Sequence, residues 1–475
     1  MRAQSGIFAF AAVFAFAAIS ATGCRKQTDS GVNFRIDMTS QIADGTFDPA
    51  ADSVGVRGDA KPLSWGRSIM SVDDDGDGIY EVTIDFPMES QLPIAYKFKL
   101  EGPRFRNNAG WEDGRNRAFD AATDRVIERA FNSEPDVIEH TVTGTVLTHE
   151  DFPSAFVLPR NIYVYLPPGY GNTTASYPVL YMHDGQNIFD AWSAGAEWQL
   201  DEHAQELIES GDIPPMIIVG VGNTNQRTYE YTPSESQQVM VFDRETPVDP
   251  QAYDGRYRSG DAIIRVVSSP DTLRMIDVDT GEERLGIRTA DDTYRIDGTA
   301  MTARFSRADG VATGFTASSA PEGGGGDAYG QFLIEELKPF IDKTYRTLPD
   351  ANDTGLGGSS FGGLITLHVG LEHPDVYGTL LVVSPSVWWD NRFILEEVQS
   401  LKSSTGQRIW LDMGADEGKE MVDGAEVLHS LLLKKGWTES TLSFVIAPDA
   451  NHSERAWAAR SAEMLRFFGR SVRGE

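Results

Sequence analysis

The sequence predicts an α/β protein: a doubly wound, mostly parallel sheet, preceded by a β-sandwich and interrupted by a small β-rich insertion. Three observations carry this. Near-continuous apolar runs of strand length recur at 177–183, 216–221, 380–384, 409–414 and 442–446, with helical spacing at 198–208 and 332–342. Such runs read as strands buried on both faces, and strand–helix–strand order makes their sheet parallel. Before them, 32–38, 80–86 and 95–100 alternate apolar and polar residues, the pattern of half-buried strands. Between 241 and 319, short alternating runs at 262–267, 272–276, 293–296 and 301–305 are separated by Gly, Asp or Ser.

The chain has 475 residues, too many for one domain. Its formal net charge of −30 argues against nucleic acid and anionic membrane surfaces as partners. Residues 1–23 read as a secretory signal: Arg2, then an apolar, alanine-rich core too short to span a membrane. They end in Ala-Thr-Gly before the sole cysteine, Cys24. This resembles a bacterial lipoprotein signal, which implies that Cys24 is acylated and anchors the chain in the cell envelope. Ala21 departs from the usual leucine, and ordinary secretion is the rival reading. Residues 24–31 then form a polar tether.

Residues 32–135 read as the sandwich. Asp73-Asp74-Asp75-Gly76-Asp77-Gly78 has acidic side chains two apart, as in a calcium loop. Counted from Asp73, the twelfth position is Ile84 rather than glutamate, so a tight Asp/Gly turn is the better reading. Trp65, Tyr96-Lys97-Phe98 and the run Trp111 to Arg117 resemble a starch-binding carbohydrate-binding module of the glucoamylase type. The resemblance implies that Trp65, Lys97 and Trp111 hold an α-glucan, indoles stacking on sugar faces and the lysine donating to hydroxyls. Tryptophans filling the core of a spacer domain are the alternative.

The catalytic pattern lies in Gly357-Gly358-Ser359-Ser360-Phe361-Gly362-Gly363, which contains G-x-S-x-G. A small apolar run precedes it and a helix-like run follows. In the context of strand, sharp turn and helix, Ser360 is presented at the carboxyl edge of a sheet, with the Phe361 amide aimed at the same spot. Gly358 and Gly362 are expected to allow the close approach of strand and helix. An elbow serine needs a histidine base and a carboxylate, in the chain order serine, acid, histidine. Of eight histidines, His452 alone follows the last apolar strand in a loop. His183 precedes the serine, the wrong order for the base. Asp416 and Glu417 both follow the strand at 409–414, and either could be the acid.

Residues 177–190, 197–202 and 229–233, the elbow, Ser384 to Asp390 and the His452 loop together resemble the putative esterase family. That family includes enterochelin, feruloyl and acetyl-xylan esterases. The resemblance covers 145–240 and 320–475, leaving 241–319 as the insertion. It implies an α/β-hydrolase with a serine triad, no metal and no cofactor, and it places the acid at Glu417. The mechanism expected is ester hydrolysis through an acyl-enzyme, with Phe361 and Gln186 amides as oxyanion donors. Trp388 and Trp389 either wall the substrate pocket or fill the core. The substrate is expected to be a small-molecule or glycan ester, carbohydrate-linked or a siderophore ester. The alternative is a glycan-binding surface lipoprotein with a vestigial hydrolase domain. Residues 322–327, rich in glycine, are expected to form a flexible return from the insertion.

Overall fold

A computed structural model describes residues 31–474, except 87–93, 103, 106–109, 122, 134–139, 193–194, 238, 245–252, 260–261, 270–271, 279–282, 297–300 and 309–310. The signal segment and Cys24 lie outside the described residues.

The N-terminal part is a sandwich of two sheets. One holds Ile79–Asp85, Gly31–Asp37 and Val126–Ala130; the other holds Ile69–Met70, Ser53–Gly58, Ile94–Glu101 and Arg117–Phe119. Alternation in Gly31–Asp37 sends Val32, Phe34 and Ile36 inward, as a period-two pattern must. There Phe34 meets Tyr96 and Phe119 edge to face, with centroids 5.4 and 5.3 Å apart.

The central sheet has eight strands in the order Leu442–Ala447, Arg408–Gly414, Thr379–Val383, Thr354–Ser359, Val179–His183, Ile217–Val221, Arg160–Leu166 and Thr145–Phe152. The first six run parallel, and the last two are added through antiparallel pairings. Apolar side chains cover both faces. Tyr181, Val219, Leu356, Val382 and Leu411 face the helices Phe361–Glu372, Trp389–Ser400 and Lys419–Lys435. Leu180, Ile218, Leu381 and Trp410 face Leu200–Ser210 and Glu454–Arg473. This two-sided burial explains why the strands read as continuous apolar runs.

The insertion is a closed eight-stranded barrel from Val239–Arg244 to Val311–Ser319, and its first strand pairs with its last. Aromatic residues Tyr257, Tyr294, Phe305 and Phe315 fill its interior. Its return to the sheet is not the flexible segment expected for 322–327. Glu322–Gly323 pairs with Glu235–Ser236, and a helix begins at Gly326. A Cβ on Gly323 would lie 2.4 Å from Thr232 Oγ1 and 2.6 Å from the Trp389 ring. Glycine there serves close packing, and composition alone does not separate that from flexibility. The helix continues through a π-helical stretch, Phe332–Leu337, into Lys338–Thr344.

Candidate active site

Ser360 sits between its strand and its helix with φ 61° and ψ −121°, a backbone conformation costly for any residue with a Cβ. The surroundings fix it there. Its N–H donates to Val383 O at 3.1 Å, and its carbonyl accepts from the Ser386 and Leu364 amides at 3.1 and 3.0 Å. Close approach depends on Gly358 and Gly363. A Cβ on Gly358 would lie 2.9 Å from the His183 ring, and one on Gly363 2.7 Å from Val383 O. At Gly362, where the sequence pattern placed the second tight contact, the nearest atom would be 3.4 Å away, an ordinary packing distance. The helix turns Gly362 toward His183 and Asp184, where there is room, and Gly363 against the next strand.

Glu417 and His452 come together although they lie on different loops. His452 Nδ1 donates to Glu417 Oε2 at 2.6 Å. Glu417 is buried, and its other oxygen accepts from Ser384 Oγ at 2.6 Å and from the Gly414 amide at 2.8 Å. Burial pushes this carboxyl up, but the hydrogen bonds from His452, Ser384 and Gly414 outweigh it and hold it below the ordinary glutamate range. Asp416 points elsewhere, into an ion pair with Lys61 of the sandwich. Of the two acids, Glu417 is the one that contacts the imidazole.

Ser384 opens the run Ser384 to Asp390 and is the centre of a buried network whose partners no local sequence signal marks. Its Oγ accepts from Trp457 Nε1 at 3.1 Å. Beside it, Arg460 donates to both oxygens of Asp412 at 3.1 Å. The Trp457 ring also stands edge-on to the His452 ring at 5.0 Å. Ser360 Oγ lies 3.3 Å from Ser386 Oγ, and among the described residues it makes no hydrogen bond to His452. Catalytic hydrogen bonds are commonly long without a substrate.

The strand Val179–His183 pairs in parallel with the elbow strand, Met182 opposite Gly357, so the turns after both strands emerge side by side. This places Gln186, in the turn Gly185–Asn187, beside the elbow; its Oε1 accepts from the Asn223 amide at 3.1 Å. His183 is buried with Nδ1 2.9 Å from Tyr329 OH, and burial pushes its pKa down to about 3. It is a neutral packing residue, in keeping with its place in the chain. Arg227, which the sequence did not single out, forks onto Asp184 at 2.8 and 2.7 Å with its guanidinium 5.8 Å from the Phe361 ring centre.

The two expected pocket tryptophans divide. Trp389 is 6% exposed and donates from Nε1 to Ser234 O at 3.0 Å, whereas Trp388 is 41% exposed. Both line a cavity of about 970 Å³ together with Phe361 and the barrel residues Met240, Met275 and Phe315.

The sandwich reaches the same region. Asn451 Nδ2 donates to Asp59 O at 3.0 Å, and Arg455 Nε lies 3.4 Å from the Asp59 carboxylate. With Lys61 and Asp416, these contacts clamp the loops that carry Glu417 and His452. Trp65 and Trp111 lie 6.1 Å apart at their centroids. Trp111 has Arg57 and Lys99 5.1 and 5.7 Å from its ring centre. Lys97 Nζ donates to the Glu112 and Gly114 carbonyls at 3.1 and 2.6 Å.

Comparison with known proteins identifies the family. The family described as "Putative esterase" matches residues 155–257 and 302–468, more than half of the chain, and the gap between them falls within the barrel. The uncharacterized protein YbbA of Bacillus subtilis is 22% identical over 65% of this chain and 92% of its own length. The ferri-bacillibactin esterase BesA of the same organism is 34% identical, over 24% of this chain and only 41% of that protein. The structure of the enterobactin esterase FES from Shigella flexneri is 13% identical, covering 88% of each chain with a TM-score of 0.49. The chain belongs to the putative esterase family and is a carboxylic-ester hydrolase.

Proposed function

We propose that Ser360, His452 and Glu417 act as the triad of an esterase that cleaves a siderophore-type ester. The observation that carries this reading is the 2.6 Å contact of His452 with Glu417, set in the same loop cluster as the elbow serine. In the proposed reaction His452 Nε2 takes the Ser360 proton as Oγ bonds to the ester carbonyl carbon. The amides of Phe361 and Gln186 receive the oxyanion, each contributing roughly 10²–10³-fold. His452 returns the proton to the leaving alkoxide, which departs as an alcohol. Water, deprotonated by His452, then attacks the acyl-enzyme, releasing the acid and restoring Ser360. Glu417 stabilises the imidazolium and fixes the tautomer throughout.

The siderophore class is supported by relatives such as BesA and by the cavity beside Phe361. Trp388 supplies the exposed aromatic wall for a catechol or similar ring. The envelope location is proposed from the leader and Cys24. A role for Trp65, Lys97 and Trp111 in holding glycan rests on the residue pattern alone; retention of residues 31–135 on starch, lost in Trp111→Ala, is its test.

The enzymatic reading is tested with p-nitrophenyl butyrate and with a tris-catecholate trilactone, followed by chromatography. Ser360→Ala is expected to abolish both hydrolyses. An unchanged rate on an ester that the native chain cleaves overturns the triad, and failure of the native chain to open the trilactone overturns the substrate class alone.

A further inference from the structure

Glu197, Asp201 and Glu202 gather on the far side of the loop that carries Gln186. Each offers a carboxylate oxygen, and the three oxygens lie within 4.8 Å of one another. Glu197 is 7% exposed and Asp201 is fully buried. Part of the arrangement has an ordinary explanation. Asp201 and Glu202 stand in the first turn of Leu200–Ser210, where the helix dipole favours negative charge. The Thr143 amide donates to Asp201 Oδ2 at 2.6 Å, and Thr143 Oγ1 donates to Glu202 Oε1 at 3.4 Å.

That explanation leaves three atoms over. Thr141 also bonds to the Glu197 carboxylate, and a proton on Asp201 would be shared with Glu202. With all three acids ionised, Glu197 Oε2, Asp201 Oδ1 and Glu202 Oε2 are buried with no donor. Among the described residues, no lysine or arginine pairs with any of the three acids. The nearest further charge is of the same sign: Asp190 acts on Glu197, and is itself paired with His140. His203 lies on the same helix but turns its Nδ1 to Ser461 Oγ at 2.6 Å. Buried, mutually repelling carboxylates need either protons or a cation.

We propose that Glu197, Asp201 and Glu202 bind one divalent cation of the calcium class. The donors are all carboxylate oxygens, the hard set that suits calcium. The site is structural, since none of the three acids touches Ser360, Glu417 or His452. It joins two segments: the connector at Thr143, which comes from the sandwich, and the start of the helix Leu200–Ser210. The loop between Asn187 and that helix is tied down by Trp198 N–H to Asn187 O and Leu200 N–H to Ile188 O, both at 3.0 Å. A cation here therefore braces the connector and the far end of the loop bearing Gln186.

The test uses the full chain, stripped with EDTA and dialysed into 0.15 M salt at about pH 7.5 to suppress diffuse binding to a net-negative surface. Calcium chloride is titrated by calorimetry, and thermal unfolding is followed with and without it. The expected result is one calcium per chain and a thermal midpoint raised by several degrees, with magnesium weaker. Glu197→Gln and Glu202→Gln are each expected to weaken binding about tenfold or more and to raise the cation-free midpoint by relieving repulsion. Asp75→Asn, in the exposed turn at Asp73, is expected to leave binding intact. The proposal is overturned if the native chain takes up no stoichiometric calcium, if Asp75→Asn alone removes the uptake, or if both glutamine variants bind as the native chain does. Should a glutamine variant fail to fold, the native and Asp75→Asn titrations decide the matter by themselves.

Discussion

Glu417 uses both of its carboxylate oxygens: Oε2 holds His452 Nδ1 at 2.6 Å and Oε1 is held by Ser384 and the Gly414 amide. The acid is thus fixed from behind before it orients the imidazole. Glu417→Gln keeps the shape but can present an N–H to the ring and favour the wrong tautomer. It is expected to lower kcat by about 10²–10⁴-fold with little change in KM. Asp416→Asn, which breaks only an exposed pair with Lys61, is expected to change kcat by less than about twofold. Steady-state kinetics on p-nitrophenyl butyrate compares the two.

In the proposed triad Ser384 meets the reaction only through its hydrogen bond to Glu417. Ser384→Ala leaves one oxygen of a buried carboxylate short of a donor and Trp457 Nε1 without its acceptor. The expected cost is about 1–3 kcal/mol of stability. A fall in kcat of about tenfold or more at unchanged KM is expected. Partial rescue by Ser384→Thr separates this positioning role from a merely structural one. Denaturant unfolding and kinetics on the same samples give both numbers.

Trp388 and Trp389 are adjacent in sequence and opposite in exposure. Trp389→Ala empties a buried site and is expected to destabilise the fold by about 3–5 kcal/mol. Trp388→Ala is expected to cost less than about 0.5 kcal/mol. It is expected to raise KM for bulky aromatic esters while leaving p-nitrophenyl acetate unaffected. The contrast is read from urea midpoints set against KM for the two ester sizes.

His368 is enclosed by Glu397, Asp327 and Glu372, with contacts at 2.9, 3.1 and 3.6 Å. Burial alone favours the neutral ring, but the three carboxylates outweigh it and raise its pKa from 6.5 to about 9. A raised folded-state value means that the charged ring stabilises the fold fully below about pH 6.5. That contribution is lost as the pH rises to about 9. Its size is on the order of 3 kcal/mol. Urea unfolding of the native chain between pH 6 and 10 is expected to show this loss, and His368→Gln to flatten it.

Much of this was legible in the sequence, for identifiable reasons. The central strands are buried on both faces, so their apolar runs stand out, and the elbow announces itself because a strained turn needs small neighbours. Chain order then led to His452 without any structure. Position within the elbow was less legible: Gly363 rather than Gly362 meets Val383, because that depends on the rotation of the helix. The barrel showed as scattered alternation, and half of its strands escaped notice because a curved strand of mixed residues resembles a loop in one dimension. Ser384, Arg460 and Asp412 meet only through the register of neighbouring strands with the last helix, and residues 384 and 460 are too distant for local pattern to connect. The glycines at 323–326 looked mobile for the property that lets them pack against Thr232, Tyr229 and Trp389.

The account rests on Ser360 being a nucleophile activated by His452. Its most direct measurement is intact-mass and peptide mapping after exposure to an alkyl fluorophosphonate, which reacts with an activated serine. The expected result is one adduct per chain, on Ser360, absent in Ser360→Ala and slowed about a thousandfold or more in His452→Ala. No adduct on the folded native chain, or an adduct at Ser360 that forms at the same rate without His452, contradicts it.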